Sequence, residues 1–169
     1  MRYIITFYDF WHLSSGVSAG AKLDSLVVKD ENGLPYIPGK TIKGLIRENV
    51  EILDKSKVAD IFGAEGSNIA SSYFSNAILD KATINHLNSN PMLKKHLFDK
   101  VTSTSIDSNG IADEKTLREI EVVVPLTLSG TIDSKEKEII SKAVSMIKEM
   151  GLNRNRGLGR CKVEIRDDN

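Results

Sequence analysis

The chain has 169 residues, 40% of them apolar, with 23 cationic and 23 anionic side chains. That length suits one domain with a real core, and the apolar content excludes a wholly disordered chain. No apolar run approaches the ~20 residues of a membrane span, and a neutral balance weighs against a free nucleic-acid binder, which is usually basic overall.

Residues 2–10, "RYIITFYDF", are rich in β-branched and aromatic side chains and predict a strand. The N-terminus lacks a small-residue cleavage site, so no signal peptide is read. "GLPYIPGKTIKG" then carries two prolines and two glycines into a helix, along which Ile42, Leu45, Ile46, Val50 and Leu53 recur at helical spacing. Thr41 or the residues before it are the expected cap. "SSYFSNAILD" (71–80) reads as a second strand. Residues 81–118 read as a polar, irregular insertion, with "PMLKKHLF" as a short helix inside it. "REIEVVVPLTLSGTI" alternates, so that Ile120, Val122, Val124, Leu126 and Leu128 share one face, with Pro125 marking an edge or a bulge. Asp133 or Ser134 opens a helix with an apolar stripe of Ile139, Ile140, Ala143, Val144 and Ile147, closed by Gly151. "CKVEI" ends the chain as a strand. The order β-α-β, insertion, β-α-β predicts an α+β, ferredoxin-like (RRM-like, split βαβ) single domain over 1–169. The aromatic signature of an RRM is absent.

Zero net charge hides two basic segments. From Arg154 to Arg166 there are five cations (Arg154, Arg156, Arg160, Lys162, Arg166) and one anion, Glu164. From Tyr36 to Arg47 there are three cations (Lys40, Lys43, Arg47) and no anion. The loop "GLNRNRGLGR" follows a helix and precedes a strand, the reverse of a nucleotide-binding P-loop, and a helix C-terminus disfavours anions. Gly157 and Gly159 can still expose backbone N–H groups while Arg154, Arg156 and Arg160 neutralise phosphates, a combination suited to a nucleic-acid backbone. A solvated capping loop with surface arginines explains the segment equally well. Lys43 and Arg47 are four apart on one helix face and Lys40 sits just before it, where the helix N-terminus adds positive charge. Salt bridging, for example Arg47 to Glu51, is the plainer alternative. His12, Ser14, Ser15 and Asp24 allow a Ser-His-Asp triad, but no nucleophile-elbow sequence supports one. Cys161, the one cysteine, excludes an internal disulfide and a cysteine-based zinc cluster, and agrees with a cytoplasmic setting.

Taken in order, five segments resemble the RAMP superfamily of CRISPR-associated proteins, and most closely the backbone (Csm/Cmr-type) subunit of type III effector complexes. They are His12 with its Gly/Ser-rich continuation, "LDSLVVKDENGLPYIPGKTIKGLIRE", "ADIFGAEG" leading to "SYFSNAIL", "SIDSNGIADEKTLREIEVVVP", and "RNRGLGRCKVEI". The resemblance implies an RRM-like palm that holds guide RNA, stacked with copies of itself and other effector subunits, and no membrane partner. It makes His12 an RNA-binding residue, assigns guide phosphates to Lys40, Thr41, Lys43 and Arg47, and guide support to Gly157, Gly159 and the arginines around them, Arg154, Arg156 and Arg160. It makes residues about 100–119 a hairpin "thumb" that wedges into the guide–target duplex. It makes Asp24 the carboxylate that cleaves target RNA with Mg²⁺ or another divalent cation. Asn153 and Asn155 stand where the family often has glycine, and asparagine tolerates positive φ. Two further readings accompany it: a metal-independent endoribonuclease that processes precursor guide RNA with His12 as general base, and a structural subunit without chemistry. In the first reading the cations from both ends of the chain are expected on one RNA-binding surface.

Overall fold

The computed structural model describes residues 1–16, 24–63, 70–111 and 116–166. Four strands form the main sheet: β1 (Arg2–Phe7), β2 (Tyr73–Phe74), β5 (Thr127–Asp133) and β6 (Cys161–Arg166), in the order β2-β5-β1-β6, every neighbour antiparallel. That order is the one a split βαβ plan requires. On β1 the alternation sends Tyr3, Ile5 and Phe7 into the core and leaves Arg2, Ile4 and Thr6 on the open face. Helices α1 (Gly39–Leu53) and α4 (Lys137–Ser145) pack side by side over the buried face, and the Asn49 amide nitrogen donates to the Ala143 carbonyl between them (2.9 Å). Ile42, Ile46 and Val50 of α1 meet Ile140, Ala143 and Val144 of α4 in one core. Each large aliphatic side chain so buried is worth about 1.5–3 kcal/mol over an exposed one. α2 (Val58–Phe62) follows α1.

A two-stranded antiparallel hairpin stands apart from this sheet: β3 (Phe98–Ser103) pairs with β4 (Arg118–Val123), Phe98 opposite Val123 and Ser103 opposite Arg118. Residues 100–103 and 118–119 of the predicted thumb fall on it, and residues 112–115 lie outside the described residues. The predicted single strand through Pro125 divides into two, because β4 belongs to the hairpin and β5 to the main sheet. Proline has no N–H for a ladder, and the residues on either side are spent elsewhere: Val124 N–H donates to the Leu97 carbonyl, and the Leu126 carbonyl accepts from Phe7 N–H.

Four local expectations change. The strand predicted over 71–80 shrinks to two residues, continued by isolated pairings of Ala77 with Ile37 and Ile78 with Ser129. The first half of the predicted irregular insertion is α3 (Lys81–Ser89), capped by the Asp80 carboxylate on Thr83 N–H (3.0 Å), followed by a 3₁₀ segment, Pro91–Leu97, and β3. α4 starts at Lys137, not at Asp133 or Ser134, and ends at Ser145, well before Gly151. α1 starts at Gly39 with Pro38 as its cap residue, so Thr41 lies inside the first turn. Pro38 offers no side-chain acceptor, and the Gly39 N–H is taken instead by Asn76 Oδ1 at 2.8 Å.

Candidate nucleic-acid interface

The loop 151–160 is built by close backbone approach. Leu152 N–H donates to the His12 carbonyl (2.9 Å), Gly159 N–H to the Phe10 carbonyl (2.7 Å), and Met150 N–H to the Gly159 carbonyl (3.0 Å). A Cβ on Gly159, where φ is +74°, would lie 2.0 Å from the Met150 carbonyl oxygen, and one on Gly151 would lie 2.3 Å from that of His12. Asn153 adopts φ 57°, the one positive-φ non-glycine among the described residues, and its carbonyl accepts from Arg156 N–H (2.8 Å). The turn so formed, a 3₁₀ segment over Arg154–Arg156, projects both arginines into solvent.

Gly159 therefore has a different job from the one predicted: it is buried and its N–H is committed, so its amide is not offered to a phosphate. Gly157 is exposed with open space around it. Arg160 is held by Asp9 through its Nε (2.9 Å), which offsets its charge. Arg154 and Arg156 have no ion-pair partner among the described residues. Together with Arg118 at the start of β4 they line a cleft of about 540 Å³ whose other walls are Gly151, Leu152, Asn153 and Asn155. Among the described residues no carboxylate lines it. Arg118 escaped the sequence reading because it stands in an acid-rich stretch with Asp113, Glu114, Glu119 and Glu121, outside both basic segments; the fold sets it against the loop.

Asp24 is tied to the same strand as Arg118, outside the cleft lining. Residues 24–27 lie alongside β4, with Ser25 paired in parallel to Ile120. Asp24 N–H donates to the Glu119 carbonyl (2.9 Å), Glu119 N–H donates back to Asp24 Oδ2 (2.8 Å), and Glu121 N–H donates to the Ser25 carbonyl (3.1 Å). The Glu121 carboxylate completes the attachment. It accepts from Val27 N–H (3.1 Å) and pairs with Lys29 (2.7 Å), whose ammonium also sits 3.9 Å from the Phe98 ring centroid. Asp24 itself is exposed. Its carboxylate is thus fixed on the backbone of the residue that follows Arg118.

His12 lies beneath this layer, fully buried. Its Nδ1 meets the Glu121 carbonyl, which can only accept, so that nitrogen carries a proton. Its Nε2 meets the Ser25 hydroxyl at 2.9 Å, and Ser25 meets Ser14 at 3.1 Å. The parts of a serine–histidine pair are present, but the third partner is a backbone carbonyl and the Asp24 carboxylate is turned to Glu119. A ring with no exposed surface and both nitrogens engaged contacts no RNA in this arrangement; His12 instead joins the Asp24 segment to β4.

The predicted cations of α1 stand elsewhere. Lys40 and Arg47 are exposed, Thr41 and Lys43 half-buried, and none of the four lines the loop cleft. Arg47 does not pair with Glu51, which is bound to Lys55 (3.5 Å). The helix start carrying Lys40 is pressed on β2: a Cβ on Gly39 would lie 2.2 Å from the Phe74 carbonyl oxygen. Cys161, at the foot of β6, is buried, and burial pushes its thiol up to about 12, so it remains a neutral core side chain.

Among the described residues no group of three or more His, Cys, Asp or Glu side chains could hold a metal ion, and no helix is long and apolar enough to cross a membrane. A single carboxylate does fit one ion. Mg²⁺ commonly takes one or two carboxylates and completes its shell with water and substrate phosphates, and Asp24 Oδ1 has no partner among the described residues.

The sequence profile of the RAMP superfamily matches residues 5–162, so the chain belongs to that superfamily. Two solved structures share its fold: the cryo-EM structure of the type III-B Cmr-beta bound to cognate target RNA, and the type III-B Cmr-beta structure of the apo state. In each the matched chain has a TM-score of 0.73 and 13% identity, over 96% of this chain and 95% of that one. No curated protein sequence matches the chain.

Proposed function

We propose that the chain is an RNA-binding subunit of a type III CRISPR effector complex, that copies of it stack along a guide RNA among other effector subunits, and that it cleaves guide-paired target RNA at Asp24. Membership of the RAMP superfamily over residues 5–162 and the fold shared with Cmr-beta chains support the assembly. The cleavage reading is carried by one observation, the exposed Asp24 carboxylate held on the N–H of Glu119, the residue that follows Arg118 of the three-arginine cleft.

RNA carries its own nucleophile, the 2′-hydroxyl, so the protein's task is alignment and charge stabilisation. The arginines hold the strand by its phosphates, which are the same for every base, so sequence is left to pairing between guide and target. The hairpin β3–β4 displaces a nucleotide and frees its 2′-hydroxyl to line up behind the phosphorus. Asp24 would hold a divalent ion, Mg²⁺ by the hardness of its ligand, which when bound supplies positive charge at the scissile phosphate. His12 fixes the Asp24 segment without touching substrate. Its burial tells against the metal-independent reading, in which it would be the general base.

The test is target cleavage by the complex that copurifies with the chain. Asp24→Ala should lower the rate at least about 10²-fold, the scale of losing one preorganised charge-stabilising group, and leave the copurifying RNA unchanged. Cleavage by Asp24→Ala at the wild-type rate would remove Asp24 from the chemistry. A wild-type complex that binds target and leaves it intact would make the chain a purely architectural subunit.

A further inference from the structure

We infer that Arg118 is a phosphate-binding residue, and that it seats the RNA phosphodiester nearest to Asp24. The inference rests on the RNA-binding reading above and gives a phosphate contact to a residue that lies outside both basic segments and that the resemblance places only in the thumb. Asp24 alone is a poor neighbour for RNA, because a carboxylate repels phosphate. A cation beside it offsets that repulsion, and among the described residues several nearby cations are committed. Arg160 is paired with Asp9, Lys29 with Glu121, and Lys100 faces Glu119 at 3.9 Å. Arg118 is exposed and has no ion-pair partner among the described residues. It is the first residue of β4, and the N–H of the next residue, Glu119, holds the Asp24 carboxylate at 2.8 Å. Its side chain lines the cleft with Arg154 and Arg156, so it is the one member of that trio tied by its own strand to Asp24.

The geometry gives the three arginines separate tasks. Arg154 and Arg156 ride on a turn fixed by Asn153, and they hold the strand where it crosses the loop. Arg118 stands on the hairpin, between that strand and Asp24. A guanidinium there donates two parallel hydrogen bonds to a phosphate, which a lysine ammonium does not reproduce. Arg118 thus fixes which phosphate, and at what angle, meets the Asp24 carboxylate.

Arg118→Ala and Arg118→Lys are compared with wild type, first by binding of an unstructured single-stranded RNA over a series of salt concentrations. Arg118→Ala should weaken binding about five- to tenfold and reduce the slope of log affinity against log salt by about 0.7, the share of one phosphate on a single strand. Arg118→Lys should keep the slope. In the complex that cleaves target, Arg118→Lys should slow cleavage while leaving target affinity near wild type, since charge is kept and bidentate seating is lost. The side chain is exposed, so melting temperatures should be equal. If wild type binds RNA but Arg118→Ala matches it in affinity and slope, the inference is wrong and the RNA-binding reading stands. If wild type binds no RNA at any salt, the reading itself fails and takes the inference with it.

Discussion

The two basic regions of this chain are made in opposite ways. Lys40, Lys43 and Arg47 ride on α1, a helix held by its buried stripe of Ile42, Ile46 and Val50 and by the Asn76 cap on Gly39. Arg154 and Arg156 ride on an irregular loop held by backbone hydrogen bonds to His12, Phe10 and Asn153, with glycines where two backbone segments nearly touch. A cation on α1 can be exchanged with little structural effect, because the helix owes its place to its other face. The loop has no such reserve: its shape is its support. Charge and scaffold are separable in the first region and fused in the second.

Changes that leave every cation of the two regions in place break this comparison most sharply. Gly159→Ala puts a Cβ 2.0 Å from the Met150 carbonyl oxygen at a positive φ, and it should cost about 3 kcal/mol or more of stability and most of the RNA affinity. Urea unfolding and RNA titration read both; wild-type affinity in this variant would mean that the loop's shape is not what places Arg154 and Arg156. Glu121→Ala strips the acceptor from the N–H of buried Val27 and should cost about 2 kcal/mol. It should also slow target cleavage more than it weakens RNA binding, since it loosens Asp24 and leaves the arginines alone; equal losses in both would show that the hairpin and the Asp24 segment are not separable from the cleft. Gly157→Ala meets open space at φ +88° and should cost only about 1–2 kcal/mol, the backbone term alone, with RNA affinity close to wild type.

The parts legible in the sequence were those with a clean period. α1, α4, β1 and β6 announced themselves through stripes such as Ile140, Ala143, Val144 and Ile147, which the structure buries. The split of "REIEVVVPLTLSGTI" was not legible, because alternation runs straight through it and only the competing partners of β4 and β5 reveal two sheets. α3 was missed since Leu87 is its one buried residue, too little for a periodic signal. At the site, the cationic loop and Asp24 could be named from sequence. Their neighbourhood could not, because it depends on residues 24–27 pairing with β4, a contact between segments nearly a hundred residues apart. His12 and Gly159 were read as RNA contacts, and their burial assigns them to the scaffold that holds the others. Arg118 carried no local signal at all.

The RNA-binding reading proposed above has one strand gripped by both basic regions, at the loop cleft and, apart from it, on α1. The direct measurement is the salt dependence of RNA binding for wild type, Lys43→Ala with Arg47→Ala, Arg154→Ala with Arg156→Ala, and all four changes combined. Each pair should lower the slope of log affinity against log salt by about 1.4 on single-stranded RNA, and the fourfold variant by about twice that. A slope left at the wild-type value by either pair would contradict the claim and confine the RNA to the other region.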